Sequence, residues 1–157
     1  MAINGKFVRL VIQRVAKASV TIDSELVSEI GKGLMVLVGV EEGDTPQDCL
    51  WLVNKTAAMR IFDDNEGVMN LSVKDIDGQV LAVSQFTLTA STKKGNRPSY
   101  IRAAGHETAV PLYEMYCNEL EKVLGKKVGR GRFGADMKVA LVNDGPVTII
   151  IDSRLKE

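Results

Sequence analysis

Two short polar segments follow apolar stretches of the chain, and their residue types suit contact with a ligand. Residues 84–88 (SQFTL) come directly after the apolar run 80–83, and residues 143–148 (NDGPVT) come after the run 139–142. Apolar runs of this length predict buried strands. Polar and conformationally special residues at the ends of buried strands are held rigidly and can present backbone groups to a bound molecule. The two segments are therefore the first candidates for a functional site.

Thr87 is the side chain of the first segment that could act as a nucleophile. A threonine hydroxyl needs a base or another form of activation before it attacks a carbonyl. A triad of the Ser-His-Asp type would depend on His106, the single histidine of the sequence. We expect His106 to be a solvent-exposed residue just ahead of a helix, and Thr87 on pattern alone to be a strand residue. The chain is thus poorly equipped for conventional triad hydrolysis.

The composition is that of a compact globular protein. The chain has 157 residues, 45% of them hydrophobic, and a formal net charge of zero. No run approaches the roughly 20 apolar residues of a membrane helix, and the N-terminus lacks a secretory pattern. Cys49 and Cys117 fall among apolar neighbours on expected helices, as buried reduced thiols do, and neither a CxxC pair nor a histidine cluster predicts a metal site. We expect one cytoplasmic domain, residues 1–157, with no metal, cofactor or membrane contact.

The hydrophobic pattern predicts an α+β fold. One helix is expected to begin after the N-cap Thr45, with Pro46 at its first position. A second is expected over residues 108–124, with Pro111 in its first turn and Gly125 as C-cap. Strands are expected at residues 9–15, 18–22, 25–30, 34–40, 80–83, 128–133, 137–143 and 147–152. Because strands outnumber helices, we predict a curved, largely antiparallel, barrel-like sheet with two main helices.

The two polar segments together resemble the signature motifs of the D-aminoacyl-tRNA deacylases, SQFTL and a Gly-Pro pair within NxGPVT. Further stretches resemble that family in the same order along nearly the whole chain: residues 12–15 (IQRV), 18–20 (ASV), 60–62 (RIF), 69–71 (MNL), 94–99 (KGNRPS) and 131–137 (GRFGADM). The family hydrolyses the ester that joins a D-amino acid to the end of a tRNA. The resemblance implies the same fold and activity, which is chiral proofreading in translation. L-aminoacyl-tRNA would be rejected, and glycine carried by the wrong tRNA would also be removed.

The resemblance implies a catalytic site built mainly from backbone groups. Ser84, Gln85, Phe86 and Thr87 would lie near the scissile ester, where the N–H groups of Phe86 and Thr87 can stabilise the oxyanion. An aminoacyl-tRNA ester is a comparatively activated bond, so large nucleophilic machinery is unnecessary. Two routes are open: Thr87 attacks directly, or the terminal ribose hydroxyl of the tRNA assists a water. We favour the second route and keep Thr87 as the best side-chain candidate.

The second motif is implied to act as a chiral gate. By itself, Asp-Gly-Pro between two strands is an ordinary turn signal. In the resembling family the bond that corresponds to Gly145-Pro146 is cis, and its carbonyls enter the active site of a partner subunit, where an L side chain would clash with them. Arg14 is implied to fix the orientation of this segment, and Met137 to lie beside the aminoacyl group. The active form would be a homodimer with a two-fold interface.

Basic residues group in two places despite the neutral total. Lys93, Lys94, Arg97 and Arg102 lie in a stretch without acids, shortly after SQFTL. We expect this first group to contact phosphates at the acceptor end of tRNA, with a solvated loop as the alternative and with no role for DNA. The second group is Lys122, Lys126, Lys127, Arg130 and Arg132.

Two other functions compete with D-aminoacyl-tRNA hydrolysis. One is a catalytically silent module that binds the tRNA acceptor end, which the completeness of both motifs disfavours. The other is a general small-molecule esterase or amidase, which the lack of a GxSxG elbow disfavours. Residues 1–8 form a possible extension ahead of the point where the family commonly begins, and the polar residues 153–157 are expected to fray.

Overall fold

The computed structural model describes residues 8–155 of the chain. The expected extension therefore lies, apart from Val8, outside the described residues. The helices are α1 (Pro46–Ala58), a short 3₁₀ helix (Phe86–Thr89) and α2 (His106–Leu124). The strands are β1 (Val8–Ile22), β2 (Glu25–Ile30), β3 (Gly33–Val40), β4 (Phe62–Asp63), β5 (Met69–Leu71), β6 (Gln79–Ser84), β7 (Gly129–Arg130) and β8 (Lys138–Asp152).

One long strand, β1, organises the main sheet. Its first half, Val8 to Val15, pairs with β3, and its second half, Ala18 to Ile22, pairs with β2. Strand β8 runs antiparallel to nearly all of β1. Strands β3, β6 and β7 continue the sheet in parallel pairs. Because β1 has neighbours on both edges along its whole length and changes partner midway, the sheet curls around it. The predicted α+β fold with a curved, largely antiparallel, barrel-like sheet is confirmed.

The two helices pack on one face of this sheet. Helix α1 has the expected N-cap Thr45, which forms a capping box with Asp48, and Pro46 stands at its first position. Helix α2 ends at Gly125 in the left-handed conformation, with φ 71°. The main core cluster joins both helices to β1, β3 and β6. Between the helices, the hydroxyls of Thr56 and Tyr116 share a hydrogen bond of 2.9 Å.

Several predicted boundaries are wrong. The strands expected at 9–15 and 18–22 are a single strand, because β8 pairs with β1 on both sides of the exposed Ala16. The strand expected at 128–133 is reduced to two residues. Helix α2 begins at His106 rather than Thr108, so Pro111 lies in its second turn. There the proline, which lacks an N–H group, leaves the Glu107 carbonyl without its usual helical donor.

The C-terminal segment is not a fraying tail from its first residue. Ser153 is buried, its hydroxyl accepts a hydrogen bond from the Val8 N–H at 3.0 Å, and its own N–H donates to the Val8 carbonyl at 3.1 Å. These bonds close the sheet at the start of β1. Residues 156–157 lie outside the described part.

The cysteine prediction is confirmed, since Cys49 and Cys117 are both buried free thiols. Burial raises the pKa of each thiol to about 12, so neither supplies a thiolate at neutral pH. Within residues 8–155, no group of histidine, cysteine and carboxylate side chains could hold a metal ion. None of the helices described here is both long and apolar enough to span a membrane.

Candidate active site

A cavity of about 790 Å³ opens where β6 ends, beside the first turns of α2. Four segments far apart in sequence contribute to its walls. They are Val38 and Val40 of β3, residues 83–87 at the end of β6, several residues between Tyr100 and Tyr113 around the start of α2, and residues 133–137 with Val139 around the start of β8. Tyr113 lies on the inner wall, and its hydroxyl donates a 2.8 Å hydrogen bond to the carbonyl of Ala82. This bond ties α2 to β6 directly beneath the cavity.

The SQFTL segment forms one wall of this cavity, but not as a strand. Strand β6 stops at Ser84, and Phe86–Thr89 form a turn of 3₁₀ helix. The expectation that Thr87 continues a strand is therefore wrong. Gly39 on β3 makes the turn possible, because a Cβ atom there would stand 2.8 Å from the Cβ of Leu88 and 3.3 Å from the Gln85 carbonyl oxygen. The absence of a side chain at Gly39 lets the turn lie against the sheet.

The turn leaves two backbone donors available at the cavity wall. The Leu88 N–H donates to the Gln85 carbonyl and the Ala90 N–H to the Thr87 carbonyl. Within residues 8–155, the N–H groups of Phe86 and Thr87 donate to no protein group. The first N–H groups of a helix have no partner in the helix itself. These are the two N–H groups for which the resemblance implies an oxyanion role, and that role stays a prediction.

The Thr87 hydroxyl has a partner that cannot activate it. The side-chain amide of Gln85 donates to the Thr87 hydroxyl oxygen at 2.8 Å. An amide N–H donates a hydrogen bond and takes up no proton. His106 also lines the cavity, yet it forms no hydrogen bond to Thr87 in the part of the chain that the structure describes. The geometry agrees with the expectation that a conventional triad is absent.

Aromatic side chains stand at both ends of the cavity. Phe86, which is 57% exposed, meets Tyr100 edge to face with ring centroids 5.0 Å apart. At the other end, His106 meets Phe133 edge to face at 5.1 Å. As predicted, His106 is exposed, although it is the first residue of α2 rather than the residue before it. Exposed aromatic faces at the mouth of a cavity are suited to stacking with a flat, apolar or heterocyclic group.

Met137 lines the same cavity, and its implied place beside the aminoacyl group stays a prediction. Its position depends on Gly131, since a side chain at that residue would overlap the Met137 sulfur. The GRFGADM stretch is therefore a structural unit in which one glycine makes room for the methionine.

Gly145 and Pro146 lie elsewhere, on the exposed outer side of β8, and do not line this cavity. Asp-Gly-Pro does not turn the chain between two strands, so the turn interpretation is wrong. Strand β8 pairs with β1 at Asn143 and again at Thr148, so residues 144–147 form a bulge opposite Arg14 alone. The Gly145-Pro146 bond is cis, as the resemblance implies. The strand continues beyond the bulge because β1 pairs with it on both sides.

Two side chains fasten the bulge. Arg14 is buried, and its Nε donates to the Asp144 carbonyl at 2.9 Å while an Nη donates to the Ile61 carbonyl at 2.8 Å. The side-chain amide of Asn143 donates to the carbonyls of Arg14 and Val147, each at 3.0 Å. Arg14 therefore lies where the resemblance implies. A planar guanidinium donates in fixed directions, which suits two carbonyls on different segments.

The four basic residues expected at the tRNA interface separate into two kinds. Lys93, Lys94 and Arg97 are exposed on a loop that two backbone hydrogen bonds between Ser91 and Ser99 close. Arg102 instead turns inward, donating to the Thr89 carbonyl at 3.1 Å and lying 3.7 Å from Glu41. In the second basic group, Lys122, Lys126 and Arg130 form ion pairs with Glu119, Asp77, and Glu114 and Glu121, respectively.

Sequence reasoning missed Gly39, Gly131 and Asn143, although two of them carried a signal. Gly39 interrupts an otherwise apolar strand, and an isolated glycine in a strand marks a close approach of another segment. Asn143 directly precedes Asp-Gly-Pro, and an asparagine side chain readily forms hydrogen bonds to nearby backbone groups. Buried acids near β3 were also missed: burial raises the pKa of Asp44 to about 7, even though the Glu41 N–H donates to that carboxylate.

The same fold occurs in solved structures of related proteins. A c-Myc DNA unwinding element binding protein superposes with a TM-score of 0.87 at 39% identity, over 91% of this chain and 97% of that one. A probable eukaryotic D-amino acid tRNA deacylase superposes with a TM-score of 0.81 over 93% of this chain and 99% of that one. At 17% identity, the second likeness concerns the fold alone.

The sequence comparisons identify the family. The model of the D-Tyr-tRNA(Tyr) deacylase family matches residues 11–152, and the chain belongs to that family. It is 62% identical over 149 residues to the D-aminoacyl-tRNA deacylase of Flavobacterium psychrophilum, covering 95% of this chain and 99% of that protein. The D-aminoacyl-tRNA deacylase of Bacteroides thetaiotaomicron is 58% identical over the same shares of the two chains.

Proposed function

We propose that this protein hydrolyses the ester bond of D-aminoacyl-tRNA, releasing the free amino acid and the tRNA, and spares L-aminoacyl-tRNA. Family membership and relatives that share about 60% of their residues support the reaction. The observation that carries it is the 3₁₀ turn at residues 86–89, where two residues that line the cavity, Phe86 and Thr87, have backbone N–H groups that donate to no group within residues 8–155. Such fixed donors stabilise the oxyanion that develops when an ester is attacked.

The attack on the ester proceeds by a water that the substrate assists. Thr87 accepts from the Gln85 amide, and no base among residues 8–155 forms a hydrogen bond with its hydroxyl, so we infer that Thr87 is not the nucleophile. The tRNA's terminal ribose carries a hydroxyl next to the ester, and that hydroxyl can orient the water. Ser84, Gln85, Phe86 and Thr87 then position the ester rather than attack it. A silent tRNA-binding module would have no use for donors directed at a carbonyl.

The chiral selection comes from a second copy of the chain. Gly145 and Pro146 are exposed, and the cavity of their own chain lies elsewhere. In a two-fold dimer the bulge of each subunit enters the cavity of the other and meets Met137 there. A wall of main-chain atoms excludes an L side chain without recognising the D side chain, so many D-amino acids and glycine are accepted.

The closed loop that carries Lys93, Lys94 and Arg97 lies next to Tyr100 at the cavity mouth. Three exposed cations there suit the phosphates of a tRNA acceptor end. Such contacts strengthen binding to all tRNAs alike and weaken as salt rises. Because the substrate is charged tRNA, we place the protein in the cytoplasm with the translation machinery.

The deciding experiment compares D-tyrosyl-tRNA with L-tyrosyl-tRNA as substrates of the purified protein in the presence of a chelator. We expect rapid loss of the D ester and a stable L ester. If neither ester is hydrolysed, the result favours the silent binding module. If both are hydrolysed, the protein is a hydrolase, but Gly145-Pro146 does not exclude L-amino acids. An aryl ester serves as a further control, since a general esterase would cleave it readily.

One relative's name points to DNA, which we did not expect as a partner. The exposed cations of the 91–99 loop contact phosphates and so do not by themselves distinguish the two nucleic acids. Competition settles the matter: uncharged tRNA should inhibit D-tyrosyl-tRNA hydrolysis at concentrations at which duplex DNA of equal length does not. Equal inhibition would mean that the loop binds phosphates without preference for tRNA.

A further inference from the structure

Two arginines hold the carbonyl end of the 3₁₀ turn, which is the end away from the cavity donors. An Nη of Arg9 donates to the Leu88 carbonyl at 3.2 Å, and an Nη of Arg102 donates to the Thr89 carbonyl at 3.1 Å. The last carbonyls of a helix have no donor within the helix, and a cation there is favourable. Two arginine side chains thus hold the carbonyl end of the turn in place. Arg9 is 79 residues from its acceptor in the sequence, and Arg102 is 13 residues from its acceptor.

Each arginine is paired in turn with a buried carboxylate. Glu41 is 1% exposed, and its Oε1 lies 3.7 Å from Arg102 Nε. Asp152 is 6% exposed, and its Oδ2 lies 3.4 Å from an Nη of Arg9. Within the described residues, neither carboxylate oxygen of Glu41 accepts a hydrogen bond, so its charge is balanced by the neighbouring guanidinium groups.

Glu41 also joins this arrangement to the opposite side of the cavity. It forms an isolated β-bridge with Ala103, and the N–H of Glu42 donates to the Arg102 carbonyl at 3.0 Å. Ala103 lines the cavity together with Ala104, whose N–H donates to the Val40 carbonyl. The segment that carries Arg102 is therefore attached along the end of β3, and Arg102 reaches from there to the 3₁₀ turn.

A buried carboxylate of this kind is a poor way to gain stability. Removing two charges from water costs about as much as their attraction returns, and an apolar pair of similar volume is often as stable. Burial also raises the pKa of Glu41, which the nearby Arg102 and then Arg154 and Arg9 counteract. What the ion pair does provide is placement: the charge of Glu41 attracts one side of the Arg102 guanidinium, and an Nη of the same planar group donates to the Thr89 carbonyl.

We propose that Glu41 is a positioning residue for hydrolysis: it orients Arg102, which holds the carbonyl end of the Phe86–Thr89 turn and so directs the Phe86 and Thr87 N–H groups into the cavity. This inference rests on the proposed function, because that function makes these N–H groups the oxyanion donors. An error of about 1 Å in such donors is expected to cost up to about 100-fold in rate.

The test uses full-length Glu41→Gln, which keeps the size of the side chain and removes its charge. We expect kcat for D-tyrosyl-tRNA to fall about tenfold while KM changes less than about twofold, because the donors act on the transition state. Amide hydrogen exchange at Leu88 and Ala90, whose N–H groups close the turn, should be faster. Arg102→Lys should behave alike, since an ammonium cannot reproduce the directed pair of contacts.

Glu121→Gln is the matched control. Glu121 lies in the last turn of α2, accepts a hydrogen bond from an Nη of Arg130 at 2.8 Å, and does not line the cavity. It should leave kcat and the exchange of Leu88 and Ala90 unchanged, whatever it does to the melting temperature. This control separates positioning of the turn from a general loss of stability.

Two results would overturn the inference. The first is that Glu41→Gln and Arg102→Lys retain the kcat of the unmodified protein. The second is that amide hydrogen exchange at Leu88 and Ala90 is no faster in these two variants than in Glu121→Gln. If the unmodified protein fails to hydrolyse D-tyrosyl-tRNA, the proposed function falls, and the exchange data alone still decide whether Glu41 orients the turn. If Glu41→Gln does not fold, Arg102→Lys carries both measurements, since the Arg102 side chain is 41% exposed.

Discussion

The 3₁₀ turn at residues 86–89 and the bulge at residues 144–147 both present main-chain atoms, yet they differ in what lies around them. The turn packs against Gly39, and Arg9 and Arg102 donate hydrogen bonds to its last two carbonyls. Phe86 and Thr87, at its start, line a cavity of the same chain. The bulge stands out from β8, with Gly145 and Pro146 exposed. The first motif lines a cavity of its own chain, whereas Gly145 and Pro146 of the second do not line that cavity.

The way each motif is held follows the same division. Arg9 and Arg102 fix the turn by its carbonyls and are themselves paired with buried acids. Arg14 and Asn143 fix the bulge, and the acids near Arg14, Asp63 and Asp144, are about half exposed. The arginines that hold the turn are thus paired with buried acids, whereas the exposed bulge is held by hydrogen bonds to backbone carbonyls.

The largest effect on activity is expected from Gly145→Val, which changes the bulge and leaves the 3₁₀ turn as it is. Gly145 has φ 138°, and an added Cβ would stand 3.0 Å from an Nη of Arg14. Displacement of the gate should lower kcat/KM for D-tyrosyl-tRNA by about 100-fold. Gly67→Val is the control, because Gly67 also has a positive φ, 76°, but has open space around it. If Gly145→Val hydrolyses D-tyrosyl-tRNA as fast as the unmodified protein, the bulge is not part of the active site.

Gly39→Ala probes the turn instead. The new Cβ would be 2.8 Å from the Leu88 Cβ, so the turn must move away from β3. We expect kcat/KM to fall about tenfold, and overpacking to cost about 1–3 kcal/mol of unfolding free energy. In Gly31→Ala the added atom meets only the Gln79 side chain at 3.5 Å, and activity should be retained. If Gly39→Ala is as active as Gly31→Ala, the close approach does not position the turn.

Stability should depend on pH through the buried acid near the turn. The pKa of Asp44 rises from an ordinary value of 3.8 to about 7 because the folded protein buries its carboxyl group. The folded state therefore holds this proton more tightly, so stability falls as pH rises from about 4 to about 7 and then levels. We expect the melting temperature to drop by about 2–8 °C between pH 5 and pH 8.

Asp44→Asn should lessen that drop, whereas Asp144→Asn in the exposed bulge should leave it as it is. Thermal melts of the three proteins at both pH values give the comparison. A drop that Asp44→Asn does not reduce would mean that this carboxylate is not the group that titrates with folding. The comparison of Asp44→Asn with Asp144→Asn thus shows whether the pH dependence of stability comes from the buried carboxyl group or from the exposed one.

The smallest effect is expected from His106→Ala. His106 stands at the rim and contacts Phe133 rather than Thr87. A general base contributes about 10²–10⁴-fold to a rate, so a change in kcat below about threefold would show that His106 is not one. A loss of 100-fold or more would restore the triad that the geometry disfavours.

Local signals in the sequence predicted the start of α1 and the end of α2 correctly, since Thr45 with Pro46 and Gly125 act through near neighbours. They failed for SQFTL, whose β-branched Thr87 favours a strand. The actual 3₁₀ turn depends on Gly39 and on Arg9, which are far away in the chain. Asp-Gly-Pro likewise favours a turn locally, but pairing with β1 on both sides keeps the strand going. In both segments, contacts with residues far away in the sequence determine a backbone conformation that differs from the local preference.

The donors at the cavity wall, the N–H groups of Phe86 and Thr87, belong to the backbone, and this has a consequence for how the protein tolerates mutation. A single substitution removes a catalytic side chain, but every amino acid except proline carries the same N–H group. Replacements at Phe86 or Thr87 should therefore often preserve the reaction. Harmful changes should concentrate at positions that shape the backbone from a distance, such as Gly39 and Arg14. A screen of random variants would find this enzyme's weak points largely outside the residues nearest its substrate.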